Sequence, residues 1–268
     1  NLIIATDPDS DRMGIEVKDG EKYIALSGNQ VGILLMNFIL ANIPVPQNGA
    51  VVTTIVSTRM AEAIANFYKV KLFKTLTGFK YIGEKIHEFE QNGKNIILFV
   101  FEESYCYLRG TYARDKDAVV ASLLVCEMAE YYLRQGKTLI DVMNELYEKF
   151  GGYYEELKSI TLSGESGIEK MSNIMNYFRN AEVDNIADEK IISVTDYLDD
   201  TGLPKSDVLS FSLQNNVEFV VRPSGTEPKI KIYFLSKGKN YADAKEKAEI
   251  VKENLLKLIE SIILRRTE

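Results

Sequence analysis

Asn95-Ile96-Ile97-Leu98-Phe99-Val100-Phe101-Glu102-Glu103-Ser104-Tyr105 is an apolar run that breaks abruptly into two carboxylates and a hydroxyl. The run from Asn95 to Val100 is short, as strands are. It does not alternate, so both faces are expected to be buried, as in a parallel sheet covered by helices. Ligands of open α/β sheets sit at the carboxyl ends of the strands. Glu102 and Ser104 are therefore expected on a binding loop, where carboxylates beside a hydroxyl suit the vicinal hydroxyls of a sugar.

The surrounding chain agrees with this fold class. Ser27 is a candidate N-cap for an apolar helix that runs to about Ala41, ahead of Pro44 and Pro46. A β-branched strand follows at 50–56, with Ser57 or Thr58 able to cap the helix Arg59 to Tyr68. A strand at 71–76, a helix to about Glu90 stopped by Gln91-Asn92-Gly93, and helices at about 116–135 and 138–150 complete an α/β unit. Gly151-Gly152 marks the expected boundary. Beyond it, strands near 154–162, 190–195, 217–221 and 230–235, a helix near 166–180 and a long amphipathic helix from about Tyr241 make a smaller α+β unit.

Upstream, Thr6-Asp7-Pro8-Asp9-Ser10-Asp11-Arg12 follows the apolar run Leu2 to Ala5. Pro8 disfavours a helix interior. In an extended loop alternate side chains share a face, so Asp7, Asp9 and Asp11 can converge on a hard cation. Oxygen-only ligands favour Mg2+ or Ca2+ over zinc. A calcium loop of the EF-hand type fails, because Arg12 and Lys18 stand where it needs Gly and Glu. A solvated acidic turn remains the plain alternative. Arg12 beside the triad suits a site where a cation and a guanidinium share one phosphate. Residues 1–26 otherwise read as strands around this loop and the turn Lys18-Asp19-Gly20-Glu21, a remnant of a larger sheet.

Two further segments carry chemistry. Arg222-Pro223-Ser224-Gly225-Thr226-Glu227-Pro228-Lys229 lies between two strands and combines a guanidinium, hydroxyls, a glycine and an ammonium, the makings of an anion nest. The alternative is a polar hairpin loop. Arg114-Asp115-Lys116-Asp117 stands at a helix start, suited to an anion or to ordinary capping. His87 lies mid-helix without a second histidine, and Ser224 lacks the Gly-x-Ser-x-Gly setting of a hydrolase nucleophile, so neither is expected to be a catalyst.

Composition narrows the classes. A chain of 268 residues with 46% hydrophobic residues can fill more than one core. A net charge of −7 argues against general binding to nucleic acid or an anionic membrane. The two cysteines, Cys106 and Cys126, make no metal or disulfide pattern, which fits a reducing cytoplasm. No run reads as a bilayer span or a secretory signal. Starting on a strand at Asn1 without Met, the chain reads as part of a longer protein.

Asp-Pro-Asp-Ser-Asp-Arg at 7–12, Thr-Gly-Phe-Lys-Tyr-Ile-Gly at 77–83, Phe-Glu-Glu-Ser-Tyr at 101–105, Arg-Asp-Lys-Asp at 114–117 and Arg-Pro-Ser-Gly-Thr-Glu-Pro-Lys at 222–229 together resemble the α-D-phosphohexomutases. The likeness is strongest to the bacterial phosphoglucomutase and phosphomannomutase branch. Five motifs in the family's order cover essentially the whole chain. The resemblance implies an isomerase that moves a phosphoryl group between hexose 1-phosphate and hexose 6-phosphate through a phosphoserine and a bisphosphate. It implies Mg2+ on Asp7, Asp9 and Asp11, with Arg12 and Lys116 supporting catalysis. Lys80, Glu102, Ser104, Arg114, Arg222, Ser224, Gly225, Thr226 and Lys229 are then the substrate-binding residues. Residues 1–26 would be the tail of the family's second domain, 27–150 the third and 151–268 the fourth, with the N-terminal domains as the absent partners.

Departures from the family pattern bear on function. The Thr-x-Ser-His-Asn-Pro type segment that carries the phosphoserine has no match here. These residues alone are therefore expected to be inactive, and a non-catalytic sugar-phosphate-binding module is the rival reading. A haloacid dehalogenase phosphatase also places Asp-x-Asp after an apolar strand, but expects Thr or Val at Asp11. Glycines are expected where Val100 and Cys106 stand, so either position would be a place for an unusual backbone angle.

Overall fold

The computed structural model describes residues 1–162, 167–180, 183–225 and 227–264. The chain divides into two compact units, Asn1–Phe150 and Gly151–Glu268.

The first unit opens with an antiparallel meander of β1 (Leu2–Thr6), β2 (Met13–Asp19) and β3 (Lys22–Leu26). Helix α1 (Gly28–Asn42) begins at Ser27, whose hydroxyl accepts from the Gln30 amide while the Gln30 side chain accepts from the Ser27 amide. This reciprocal capping satisfies donors the helix cannot pair internally. The chain then alternates: β4 (Gly49–Thr54), α2 (Met60–Tyr68), β5 (Lys71–Thr75), α3 (Phe79–Asn92), β6 (Ile96–Glu102), β7 (Cys106–Leu108), α4 (Ala118–Leu133) and α5 (Leu139–Phe150).

The sheet order is β5-β4-β6-β7. β4 runs parallel to both β5 and β6. As expected, the central strand β6 is buried on both faces; so is β4, every residue of which is buried. Phe79, Ile82, Ile86 and Phe89 of α3 close one face over Val52 and Val100. β7 is an antiparallel edge strand absent from the sequence-based expectation, a three-residue segment too short for periodicity to register. The connections from β4 lead first to β5 on one side and then, through α3, to β6 on the other. The switch point of the sheet is therefore the crevice between the carboxyl ends of β4 and β6.

The second unit is a six-stranded sheet in the order β8-β13-β12-β11-β10-β9, formed by β8 (Gly152–Thr161), β9 (Asn185–Ile186), β10 (Glu189–Asp196), β11 (Leu209–Leu213), β12 (Val217–Pro223) and β13 (Lys229–Gly238). All its pairings are antiparallel. β9 and β11 are additions to the strands expected from sequence. α6 (Gly167–Asn180) and α7 (Tyr241–Leu264) supply Ile174, Phe178, Val251, Leu255 and Ile259 to a core with Phe211, Phe219 and Phe234. The mixed α/β unit followed by a smaller α+β unit is the fold class the sequence implied. Among the described residues, no helix is long and apolar enough to cross a membrane.

Candidate functional site

The aspartate loop closes on itself rather than running extended. Asp7 Oδ1 accepts from the backbone amides of Asp11 at 3.0 Å and Arg12 at 2.9 Å, and Ser10 takes a left-handed backbone angle, φ 56°. The alternation expected from sequence is thus not what gathers the carboxylates. The turn does so, bringing one oxygen each of Asp7, Asp9 and Asp11 within 4.8 Å of one another. The Arg12 amide is the main reason the Asp7 carboxyl sits below its ordinary pKa, so it is charged when a cation arrives. Three carboxylates and no nitrogen or sulfur donor form a set that fits a hard divalent cation.

The other segments of this unit gather around that loop. The Met13 amide donates to the Tyr105 carbonyl at 3.0 Å, and the Ala118 amide to the Ser10 carbonyl at 3.0 Å. Lys116 Nζ lies 2.6 Å from Asp11 Oδ2 and 3.2 Å from Asp115 Oδ1. Burial lowers the Lys116 pKa, but these two carboxylates outweigh it and hold the group above its ordinary value. Arg12 makes only loose pairs with Asp7 and Asp11, both at 3.9 Å, and its side chain stays 56% exposed. It remains available to an anion.

The loop between β6 and β7 is built at the switch point. β6 runs through Glu102, and Tyr105 takes the left-handed turn, φ 67°, before β7 returns. Val100 and Cys106 both lie in strands with ordinary angles and pack into the core, so neither position needs glycine for its backbone. Glu102 is 5% exposed, and its Oε1 accepts from the Gly78 amide at 2.8 Å. Gly78 has φ 116°, which only glycine adopts readily, and it starts α3. Burial first, then the Glu103 charge, push the Glu102 carboxyl up to about 7. Ser104 Oγ lies 3.5 Å from Cys106 Sγ. Glu103 Oε2 accepts from Thr54 Oγ1 at 3.0 Å and from Ser57 Oγ at 3.5 Å, joining β6 to the end of β4.

Of the residues gathered here, Thr54 is not singled out by the sequence, Ser57 enters there only as a candidate helix cap, and Gly78 and Glu103 only as members of quoted motifs. A buried strand ending in Thr53-Thr54 and followed by Ser57-Thr58 is the signal that could have found the first two. Lys80, expected at the substrate, is exposed on the first turn of α3 with Nζ 4.6 Å from the centre of the Tyr81 ring. Arg114 turns away to pair with Glu90 on α3, and its Nη1 donates to the Thr111 carbonyl at 3.3 Å. Asp117 is an ordinary helix cap, accepting from the amides of Val119 and Val120 at 2.8 and 3.0 Å.

In the second unit, Arg222 stands one residue before the end of β12, with Nε and Nη2 donating to the Tyr233 hydroxyl at 3.4 and 3.2 Å. The Ser224 amide donates to the Lys229 carbonyl at 2.8 Å, closing the loop, and Lys229 Nζ pairs with Glu227 at 2.8 Å. Gly225 is exposed, has no positive φ, and has no described atom within 4 Å of where a Cβ would stand. Thr226 lies outside the described residues.

The model of phosphoglucomutase/phosphomannomutase domain III, an alpha/beta/alpha domain, matches residues 27–150, and that of the same family's C-terminal domain matches 179–253. The chain belongs to the phosphoglucomutase/phosphomannomutase family. A phosphoglucomutase of Staphylococcus aureus is 35% identical over an alignment of 260 residues that covers 92% of this chain and 47% of that protein. The chain thus spans about half the length of the curated relatives it matches. Two solved members show the fold at lower identity. Parafusin, a phosphoglucomutase of Paramecium in its open form, has a TM-score of 0.63 at 19% identity over 98% of this chain and 45% of its own. An N-acetylphosphoglucosamine mutase of Aspergillus fumigatus, in complex with GlcNAc-6P and magnesium, has a TM-score of 0.54 at 14% identity over 95% of this chain and 48% of its own.

Proposed function

We propose that this chain forms the metal-, sugar- and phosphate-binding portion of a phosphohexomutase that interconverts hexose 1-phosphate and hexose 6-phosphate. The observation that carries this reading is the convergence, within the first unit, of the aspartate loop, the Glu102–Ser104 loop and Lys116. In this reading residues 1–26 are the tail of the family's second domain, 27–150 its third and 151–268 its fourth.

Asp7, Asp9 and Asp11 would hold Mg2+, which when bound offsets negative charge on a transferring phosphoryl group. The Aspergillus relative was solved with magnesium bound, and the three-carboxylate set here supports the same choice. Arg12, loosely paired, is free to turn its guanidinium to phosphate oxygens. Lys116, held charged by Asp11 and Asp115, adds positive potential beside them. Glu102 and Ser104 would read sugar hydroxyls. Lys80 and Arg114 are proposed as substrate contacts that must first leave Tyr81 and Glu90. Arg222, Ser224, Gly225, Thr226 and Lys229 would hold a substrate phosphate.

In the complete reaction a phosphoserine gives its phosphoryl group to the free hydroxyl of a hexose monophosphate, and the bisphosphate returns the other phosphoryl group to the serine. Positioning and charge do most of the work in such transfers, yet they need a donor. These 268 residues carry no Thr-x-Ser-His-Asn-Pro type segment, and their one histidine, His87, stands in Ile86-His87-Glu88. By themselves they are therefore proposed to bind and not to turn over. A coupled mutase assay primed with glucose 1,6-bisphosphate tests this. No turnover is expected from this chain alone. Turnover is expected from a longer protein that includes the serine segment, and it should vanish when that serine becomes Ala. Robust turnover by the 268 residues would overturn the reading.

A further inference from the structure

Two neighbouring carboxylates at the end of β6 have opposite surroundings. Glu103 is half-buried and takes hydroxyl donors from Thr54 and Ser57. Glu102 is nearly sealed, and the Gly78 amide donates to its Oε1. Lys116, the cation that faces it from the segment before α4, is already shared between Asp11 and Asp115. A sealed carboxylate with few donors and an anion next to it is costly to ionise.

We propose that Glu102 keeps its proton near neutral pH until a hexose binds, and that Glu103, anchored by Thr54 and Ser57, is the positioning residue that sets where on the pH scale the proton leaves. The proposal rests on the reading of Glu102 as an acceptor for sugar hydroxyls. On binding, the Glu102 O–H proton passes to solvent, and the two carboxylate oxygens then accept from vicinal hydroxyls of the sugar. Only the ionised form offers both oxygens as acceptors, so hexose affinity rises as pH passes through the Glu102 midpoint. Burial and the Glu103 charge put that midpoint at about 7, against the smaller opposing pull of the Gly78 amide, Lys116 and Cys106. Thr54, Ser57 and Glu103 gain a purpose beyond tying two strands together.

The test begins without ligand. Infrared titration of this chain with isotope-labelled glutamate carboxyls, assigned by Glu102→Gln, should show one protonated glutamate persisting to near pH 7. Glu103→Gln, which keeps the side-chain volume and can still accept from Thr54, should lower that midpoint by roughly one pH unit, as loss of an adjacent like charge does. A purely structural role for Glu103 would leave the midpoint in place. Glu102 titrating in the ordinary carboxyl range of the parent chain overturns the proposal even if Glu103→Gln fails to fold, and so does an unmoved midpoint in a folded variant. The second arm is calorimetry of glucose 6-phosphate in buffers of different ionisation enthalpy. Binding should release a proton at pH 6.5 but not at pH 8.5, and Glu102→Gln should lose that release, which separates it from the ligand's own phosphate. Binding without that proton overturns the proposal. No binding, with the titration intact, overturns the sugar reading and the recognition step built on it, leaving the carboxylate pair itself established.

Discussion

The two candidate binding regions are built on different principles. Around Glu102, segments far apart in sequence are stitched together by single hydrogen bonds: Gly78 to Glu102 across 24 residues and Thr54 to Glu103 across 49. Around Arg222, one hairpin loop between adjacent antiparallel strands supplies the guanidinium, the hydroxyl and the ammonium. An assembled site depends on close packing at every joint, because a shift in one segment moves groups on the others. A contiguous loop depends mainly on its own two strands. The first region should therefore be brittle to small changes remote from the ligand, and the second should tolerate them.

The largest expected effect comes from Gly28, at the start of α1. A Cβ there would overlap the Glu103 carbonyl oxygen and come within 2.8 Å of the Tyr105 amide nitrogen, and both are backbone atoms that cannot rotate away. Gly28→Ala should destabilise the chain by about 3 kcal/mol, at the upper end for overpacking. It should also displace the loop that carries Glu102. Urea unfolding, read together with glutamate carboxyl titration, measures both consequences. An unchanged midpoint would mean that the loop yields easily and that the contrast between the regions is wrong.

Arg222→Ala should be next in size and confined to binding. Removing the guanidinium should weaken capture of a phosphate by roughly 1.5–3 kcal/mol, the range for hydrogen bonds to charged groups. Calorimetry comparing glucose 6-phosphate with glucose isolates the phosphate contribution. Equal affinities for the two sugars in the parent chain would remove the phosphate-anchor role.

Gly225→Ala should have the smallest effect on stability. Without a positive φ and with open space where the Cβ would stand, the change is expected to fall within about 0.5 kcal/mol, as at ordinary surface positions. The same unfolding experiment run on Gly28→Ala and Gly225→Ala puts the comparison on one scale. Comparable losses from the two would erase it.

What can be read in the residues follows the same division. The contiguous loops, the Ser27 cap and the buried parallel strands are visible because each is written in a short window. The edge strand β7 and the strand β9 are not, because segments of two or three residues leave too little pattern, whereas β11 goes unread although Leu209-Ser210-Phe211-Ser212-Leu213 alternates as a strand does. The aspartate loop stands out for its composition, although turn closure through the Asp7 carboxylate brings its ligands together, not strand alternation. Arg114 and Lys116 look equivalent in sequence, yet one pairs with Glu90 and the other with Asp11.

Hydrophobic period, capping and turn chemistry act over a few residues, so the kind of elements, the order of the motifs and the family are settled by the residues alone. It took long-range packing to make two adjacent glutamates differ, Glu102 sealed against Gly78 and Glu103 tied to Thr54 and Ser57. Which groups meet at the carboxyl ends of β4 and β6 is set by strand order. Strand order comes from packing the whole sheet between its helices, a long-range outcome that no local stretch encodes.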